Sequence, residues 1–276
     1  MFLVESPVVS IEWWLKNADK VVLADVRHYL DGRSAHEAYR EGHLPGARFV
    51  DLDRWLSRPA PASCGRNPLP DPDTFAEGMR RLGLNRSSTL IAYDDAGGVI
   101  AARLVWMLRV TGHDARLLDG GLLAWTGPLV GGDDDGEVTP GDFAATPWPD
   151  EHLVGIDGLQ DDGTLLLDAR NADRYRGEHD PVDPRPGHIP GARSLPCRDN
   201  LNSDGTLLPV ADLRRRFEAV GVRTGAEVIS YCGSGVTACH NLLALEYAGF
   251  QPGRLFPGSY SQYSRSDLPV ETRSAG

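Results

Sequence analysis

The chain has 276 residues, 41% of them hydrophobic and 24% charged, which is ordinary composition for about two globular domains. Its 28 Lys and Arg against 39 Asp and Glu give a net charge of −11, which disfavours nucleic acid and anionic membrane surfaces as partners. Four cysteines without a C-x-x-C pair are too few for a disulfide framework, and the stretch MFLVESPVVS is not expected to be a signal peptide. We therefore expect a cytoplasmic protein.

The predicted elements occur twice, in the same order. Each copy opens with an apolar strand that ends in Asp-x-Arg, VVLADVR at 21–27 and TLLLDAR at 164–170. A turn of sequence Gly-His-x-Pro-Gly-Ala-Arg follows, at 42–48 and at 187–193. The second strand and its turn also match, TLIAYDDAGGVIAA from residue 89 and EVISYCGSGVTACH from residue 227. Because the blocks keep their order and spacing, the sequence predicts two copies of one domain.

Strands alternate with helices inside each copy. LLLD at 165–168 and EVISY at 227–231 are apolar runs typical of buried parallel strands. Amphipathic stretches at 71–83 and 209–221 predict helices that end at glycine, and the stretch at 236–249 predicts another helix that also ends at glycine. This alternation predicts an α/β fold, with a parallel sheet of about five strands and helices on both faces in each domain.

A Gly- and Asp-rich stretch without apolar periodicity lies between the copies and predicts a linker at 131–142. It separates an N-terminal, non-catalytic domain at 1–130 from a C-terminal, catalytic domain at 143–276.

Residues that occur in both copies are expected to serve the fold, as turn geometry or as a charged pair that braces a strand end. These residues are Asp25 and Asp168, Arg27 and Arg170, and His43 and His188.

The two copies differ after the second strand, where Cys232 is the candidate nucleophile. Cys232 follows that strand, in the position where open α/β sheets bind ligands, and a Gly-rich turn leads from it into a helix. The first copy has Asp94 at the equivalent place, which cannot act as a thiol nucleophile. The sequence therefore predicts one catalytic copy and one silent copy. Cys239 is expected in the core, and Cys64 and Cys197 are expected to be incidental.

The loop after Cys232 is predicted to stabilise a thiolate. Inward-pointing amides of residues 233–237, which include Val236, would form an anion-binding nest, and Gly233 and Gly235 would permit its backbone angles. The hydroxyls of Ser234 and Thr237 would add donors.

These motifs together resemble the two-domain rhodanese sulfurtransferases, from about residue 10 to about residue 265. CGSGVTA at 232–238 is similar to the loop of the 3-mercaptopyruvate enzymes, whereas thiosulfate-preferring members typically carry Cys-Arg-Lys-Gly-Val-Thr. The resemblance implies that the cysteine takes a sulfane sulfur from 3-mercaptopyruvate or thiosulfate. The resulting persulfide would pass the sulfur to cyanide, a thiol or a protein acceptor, without a metal or organic cofactor.

The resemblance also implies roles for particular residues. Arg174 matches the arginine that binds the substrate anion, and Arg185 is the candidate for a second such arginine. Ser234 and Asp53 match two members of a proposed Ser-His-Asp relay that protonates the pyruvate enolate. The His position holds Asn67, which cannot shuttle a proton at neutral pH. The chain then either lacks this relay or protonates the leaving group by water.

Two alternatives remain open from the residues alone. A cysteine phosphatase or arsenate reductase also uses a cysteine in an anion loop, but phosphatases need an arginine six positions later, where this chain has Ala238. A non-catalytic sulfur carrier or regulatory module would hold a persulfide on Cys232 for a partner. The oligomeric state is expected to be a monomer or a weak dimer.

Overall fold

The computed structural model describes residues 5–133, 138–159 and 163–272. The chain forms two compact units. The first unit consists of residues 1–58, 70–148 and 202–207. The second unit consists of residues 59–69, 149–201 and 208–276. Part of the predicted linker, residues 134–137, lies outside the described residues.

The first unit contains a five-stranded sheet in which every neighbouring pair is parallel. Its strands are β1 (Val8–Val9), β2 (Val21–Asp25), β3 (Ala47–Phe49), β4 (Thr89–Tyr93) and β5 (Ala115–Leu118). The order across the sheet is β1-β5-β4-β2-β3. The flanking helices are α1 (Ile11–Asn17), α2 (Ala35–Glu41), α3 (Pro72–Arg81), α4 (Ala102–Val110) and α5 (Gly121–Ala124).

The second unit repeats this arrangement with four strands. They are β6 (Leu165–Asp168), β7 (Arg193–Ser194), β8 (Val228–Tyr231) and β9 (Arg254–Leu255), all paired in parallel in the order β7-β6-β8-β9. At the place equivalent to β1, residue Leu153 makes an isolated parallel bridge to Leu255. The helices are α6 (Ala172–Arg176), α7 (Val210–Ala219), α8 (Ala238–Tyr247) and α9 (Ser259–Tyr263). The predicted repeat of one α/β fold is thus confirmed.

Each sheet is packed into its own apolar core. In the first unit Leu23, Ile91 and Leu118, from three neighbouring strands, belong to one buried cluster. Leu166 and Ile229 have the corresponding places in the second unit. Burial of both strand faces explains why these strands are continuous apolar runs in the sequence. Across the described ranges, none of the helices has the length and apolar character needed to cross a bilayer.

The repeated Asp-x-Arg pairs brace strand ends, as the sequence predicted. Arg170 binds the Asp168 carboxylate with Nε and Nη2, and Nη2 also donates to the Gly187 carbonyl at 2.7 Å. Arg27 does the same with its own Asp and the Gly42 carbonyl in the first unit. Each buried guanidinium therefore ties the end of a central strand to the turn that begins the next strand.

Candidate active site

Cys232 lies immediately after β8 and before α8, at the carboxyl end of a central strand. Its side chain is buried, with 2% of the residue exposed. Residues 232–237 are called the Cys loop below. Because β8 is flanked by parallel strands on both sides, the start of the loop is fixed by the sheet.

The short helix α9 holds the beginning of the Cys loop. The Tyr260 amide donates to the Cys232 carbonyl at 2.9 Å, and the Ser261 amide donates to the Gly233 carbonyl at 2.8 Å. The Cys232 amide in turn donates to the Ser259 hydroxyl at 3.1 Å. Ser259 has a left-handed backbone with φ of +50°, which is uncommon for a residue with a Cβ. These bonds explain how the backbone at this site is kept in one conformation.

The two glycines of the Cys loop serve different purposes. The Gly235 amide donates to Cys232 Sγ at 3.1 Å, and Gly235 has a left-handed φ of +79°. A Cβ at Gly235 would lie 2.5 Å from the Pro257 carbonyl oxygen. Gly233, in contrast, is not left-handed. Its missing side chain instead leaves room for two guanidinium groups.

The first unit shows what a loop at this position can bind. Asp94 follows β4 as Cys232 follows β8, and its carboxylate is fully buried. Its oxygens accept four amide hydrogens, from Ala96, Gly98, Ile100 and Ala101, at 2.7–2.9 Å. Burial raises the pKa of the Asp94 carboxyl, and the four amide hydrogen bonds oppose this rise, so the turn at this strand end presents amide donors to the side chain that follows the strand.

Thr237 contacts a second thiol. Its side chain acts on the thiol of Cys197, whose pKa it lowers, and Cys197 is buried in a 3₁₀ turn at Cys197–Asn200. Burial, and then the proximity of Cys232, raise the pKa of the Cys197 thiol to about 12, so Cys197 stays protonated. Cys239 is fully buried in α8, as expected for a core residue, and its Sγ faces the Gly235 carbonyl at 3.4 Å. Ser234 is half-buried in the loop.

Arg174 reaches the Cys loop from α6. Its Nη2 bonds Asp183 at 2.8 Å and Asp180 at 3.1 Å. Burial raises the pKa of Asp180, but hydrogen bonds from the Asp183 amide and from Arg174 outweigh it and lower this pKa, so the Asp180 carboxylate is charged. The Nη1 atom lies 3.3 Å from the point where a Cβ on Gly233 would be. Nε of Arg174 is buried without a hydrogen-bond partner in the described structure.

Arg66, which was not among the residues predicted from the sequence, lies at the same place. Arg66 lies in the segment 59–69, which is part of the second unit. The Arg66 Nη2 atom lies 2.8 Å from the point where a Cβ on Gly233 would be, and its Nη1 pairs with Asp183. A signal was available in the sequence, since Arg66 precedes Asn67, the residue at the proposed relay position.

Two other predicted residues have different surroundings. Arg185 donates to three main-chain carbonyls, of Tyr263, Ser264 and Leu268, at 2.9–3.0 Å, so its guanidinium braces the segment after α9. Asp53 belongs to the first unit, where its carboxylate is 70% exposed and lies 3.9 Å from Nδ1 of His28. Within the described ranges, no cluster of three or more His, Cys, Asp or Glu side chains is arranged to hold a metal ion.

The chain is similar to known proteins over most of its length. The rhodanese-like domain matches residues 11–128 and 156–266. A Pseudomonas aeruginosa protein that carries the name probable 3-mercaptopyruvate sulfurtransferase is 44% identical over 261 residues, which is 90% of each chain. SseB of Mycobacterium tuberculosis, named provisionally as a thiosulfate sulfurtransferase, is 39% identical over 91% of this chain and 90% of its own.

A solved structure agrees with these matches. The crystal structure of SseA from Escherichia coli, a 3-mercaptopyruvate sulfurtransferase with the rhodanese fold, is 32% identical and superimposes with a TM-score of 0.80. The match covers 93% of this chain and 99% of SseA. The two matched segments, the repeated sheets and the single cysteine loop lead to one conclusion: the chain belongs to the rhodanese family, with two tandem copies of its domain.

Proposed function

We propose that this chain is a sulfurtransferase in which Cys232 takes a sulfane sulfur from a small anionic donor and passes it to a thiophilic acceptor. One observation carries the proposal. Cys232 Sγ receives an amide hydrogen at the strand end where, in the other copy, the Asp94 carboxyl accepts four amide hydrogens. A thiolate and a persulfide are both anions that such a loop stabilises.

The reaction has two halves. The Cys232 thiolate attacks the outer sulfur of the donor, so that a new S–S bond forms on the cysteine and the donor's bond to that sulfur breaks. The electron pair leaves with pyruvate as its enolate, or with sulfite when the donor is thiosulfate. Cyanide, a thiol or a protein acceptor then attacks the outer sulfur of the persulfide, and the thiolate is regenerated.

Both donor types remain in the proposal, because the relatives are named for 3-mercaptopyruvate and for thiosulfate. Arg174 is proposed to orient the anionic end of either donor, and Ser234 and Thr237 to line the loop. Asn67 cannot give a proton to the enolate, so with 3-mercaptopyruvate that proton would come from water. Substrate roles for Arg185 and Asp53 stay predictions of the sequence resemblance, as do the cytoplasmic location and the monomer or weak dimer.

The test is transfer of sulfur to cyanide, measured as thiocyanate, with each donor in turn. We expect Cys232→Ser to retain the fold and to keep less than about one hundredth of the wild-type rate, because the hydroxyl cannot form the persulfide. Cys239→Ser and Cys64→Ser are the matched controls and should stay active. Activity that survives in Cys232→Ser would refute the assignment.

The two alternatives give different results in the same assay. A sulfur carrier would load one equivalent of sulfur on Cys232 and then stop, whereas the proposed enzyme turns over many times. A phosphatase would release phosphate from a phosphate ester, although position 238 offers an alanine in place of the arginine that such a loop needs.

A further inference from the structure

We propose that a cleft at the edge of the second sheet is a docking site for a linear peptide segment of a partner protein, with an aromatic or apolar residue next to an acidic one. The cleft has a volume of about 410 Å³ and lies between the edge strand β7 and the end of α7. It is separate from the Cys loop, because the end of α7 precedes β8 and Cys232 follows it. The residues that line this edge cleft are Tyr175, Arg193, Ser194, Ala219, Val220 and Gly221.

The first unit contains the equivalent surface. Arg48 and Arg193 each end a Gly-His-x-Pro-Gly-Ala-Arg turn and lie in the edge strand of their sheet. Gly83 and Gly221 each follow the helix that precedes the second strand of the copy. The amides of both glycines donate to the carbonyl three residues earlier, at 2.9 Å and 3.1 Å. The two surfaces can therefore be compared residue by residue.

In the first unit the protein's own chain covers this surface. Val138 Cγ1 lies 2.9 Å from the point where a Cβ on Gly83 would be. The Gly141 amide donates to the Arg80 carbonyl at 2.9 Å, and Arg80 Nη1 donates to the Phe143 carbonyl at 3.0 Å. Phe143 is itself buried. Residues 138–143, which form neither helix nor strand, are thus a peptide segment bound at this place in the repeated fold.

The second unit has no such cover within the described ranges. Near the Cβ position of Gly221, only two side-chain atoms of Leu165 lie within 4 Å, at 3.7 Å and 3.9 Å. Val220 is half-buried and Gly221 exposed, whereas Leu82 is buried and Gly83 half-buried in the first unit. The same helix end is therefore open in the second unit and closed in the first.

The edge cleft also lacks an apolar side chain that the first unit provides. Ser194 has the register position in β7 that Phe49 has in β3. The Phe49 ring packs 5.6 Å from the ring of Tyr39, whereas the equivalent tyrosine, Tyr175, lines the cleft. An aromatic or apolar side chain from a partner would fill the space beside Ser194.

The charges at the edge cleft favour an acidic neighbour for that side chain. Arg48 donates to a carbonyl at the end of α3, whereas Arg193 is exposed and its guanidinium bonds to none of the described residues. The carbonyl of Glu218, equivalent to that of Arg80, accepts from Arg223 Nη1 at 2.8 Å. A bound segment would therefore meet a guanidinium where the first unit offers a carbonyl, and a carboxylate pairs well with such a group.

The experiment measures binding of a fluorescein-labelled peptide, EVTPGDF, to the full-length protein by fluorescence anisotropy. This sequence is that of residues 137–143, and it carries the required Asp-Phe pair. We expect saturable binding with a Kd below about 1 mM. Ser194→Phe, which introduces the residue of the first unit, should abolish binding, and Arg193→Glu should raise the Kd at least about fivefold.

Arg215→Glu is the matched control, because it reverses the charge of an exposed arginine of α7 whose partner is Asp212; its Kd should be that of the wild type. Ser194→Phe should also keep the wild-type rate of sulfur transfer, which shows that it is folded. Absence of saturable binding to the wild type, or equal binding to Ser194→Phe, would overturn the inference. Displacement of the peptide by an equal concentration of acetate would also overturn it, since the cleft would then bind a carboxylate and not a peptide.

Discussion

The guanidinium of Arg174 is anchored on one side and available on the other. Asp180 and Asp183 fix its Nη2, while Nη1 faces the Cys loop and the buried Nε has no partner in the described structure. We expect Arg174→Ala to raise the KM for either donor about tenfold or more, because a charge-assisted bond to the donor anion is lost. Initial rates of thiocyanate formation over a range of donor concentrations measure this.

Two further variants make the test of Arg174 specific. Arg174→Lys keeps the charge that balances Asp180 and Asp183, so a raised KM in this variant reports on the fork geometry. Arg176→Ala removes a neighbouring arginine of α6 whose partner is the exposed Glu178, and its KM should be that of the wild type. An unchanged KM in Arg174→Ala would give the residue a purely structural role.

The single residues of the site differed in how far the sequence could predict them. Cys232 could be found because it occurs in one copy and has Asp94 as its counterpart in the other. Arg66 was missed although it is next to Asn67, because its pairing with Asp183 joins residues 117 positions apart, and neither the repeat nor the periodicity indicates such a contact. The hydroxyl of Thr237 was expected to face Cys232, but its proximity to Cys197 depends on the path of a turn that the sequence does not determine.

At the scale of elements, strands were predicted better than loops. β6 has the bounds of the apolar run LLLD, since burial on both faces leaves a clear pattern. The predicted helix at 236–249 begins at Ala238, because residues 236–237 belong to the turn that surrounds the thiol. The fifth strand of the second sheet is reduced to the bridge at Leu153, which no periodicity could reveal.

The packing of the Cys loop on the turn before α9 leads to a prediction for Gly235. Gly235→Ala would place a Cβ 2.5 Å from the Pro257 carbonyl oxygen in a residue with φ of +79°. The left-handed backbone alone costs about 1–2 kcal/mol for alanine, and the clash adds to this. We expect a lower free energy of unfolding, measured in urea, together with a large loss of kcat, because the amide that contacts Cys232 Sγ must move.

Gly191→Ala separates the cost of a left-handed backbone from the cost of a clash such as that with Pro257. Gly191 has nearly the same φ, +78°, but nothing lies within 4 Å of its Cβ position. This variant should lose about 1–2 kcal/mol of stability from backbone strain and keep its kcat. If Gly235→Ala behaved in the same way as Gly191→Ala, the contact between the Cys loop and Pro257 would have no influence on catalysis.

At the scale of the whole molecule, the two copies show one anion-binding turn used in two ways. The first unit satisfies its turn internally, with a carboxylate that accepts four amides, and so has no place there for a donor. The second unit has a thiol at the position equivalent to that carboxylate, with arginines beside it. A duplicated fold thus retains the architecture in both copies while the chemistry depends on which side chain follows the central strand.

The stability of the molecule in acid depends on a histidine that the mechanism does not use. His240 is buried in α8, and neither ring nitrogen has a hydrogen-bond partner in the described ranges. Burial, and then the charge of Arg198, lower its pKa to about 4. Since a histidine in the unfolded chain has a pKa near 6.5, the unfolded state binds more protons between these two values. Stability from this residue is therefore complete above about pH 6.5 and is lost as the pH falls towards 4, by about 3 kcal/mol in total.

Urea unfolding of the wild type and His240→Leu, measured in steps from pH 7.5 to pH 4.5, tests this dependence. Below pH 6.5 the free energy of unfolding should fall more steeply with pH in the wild type than in His240→Leu. The leucine of the variant has no proton to bind and fills a similar apolar space. Leu243→Ala, from the same helix, is the control: it should lower stability by a similar amount at every pH, since it removes packing without removing a titrating group. Parallel curves for the wild type and His240→Leu would mean that His240 is protonated in the folded state, which the absence of any acceptor at its ring nitrogens in the described ranges argues against.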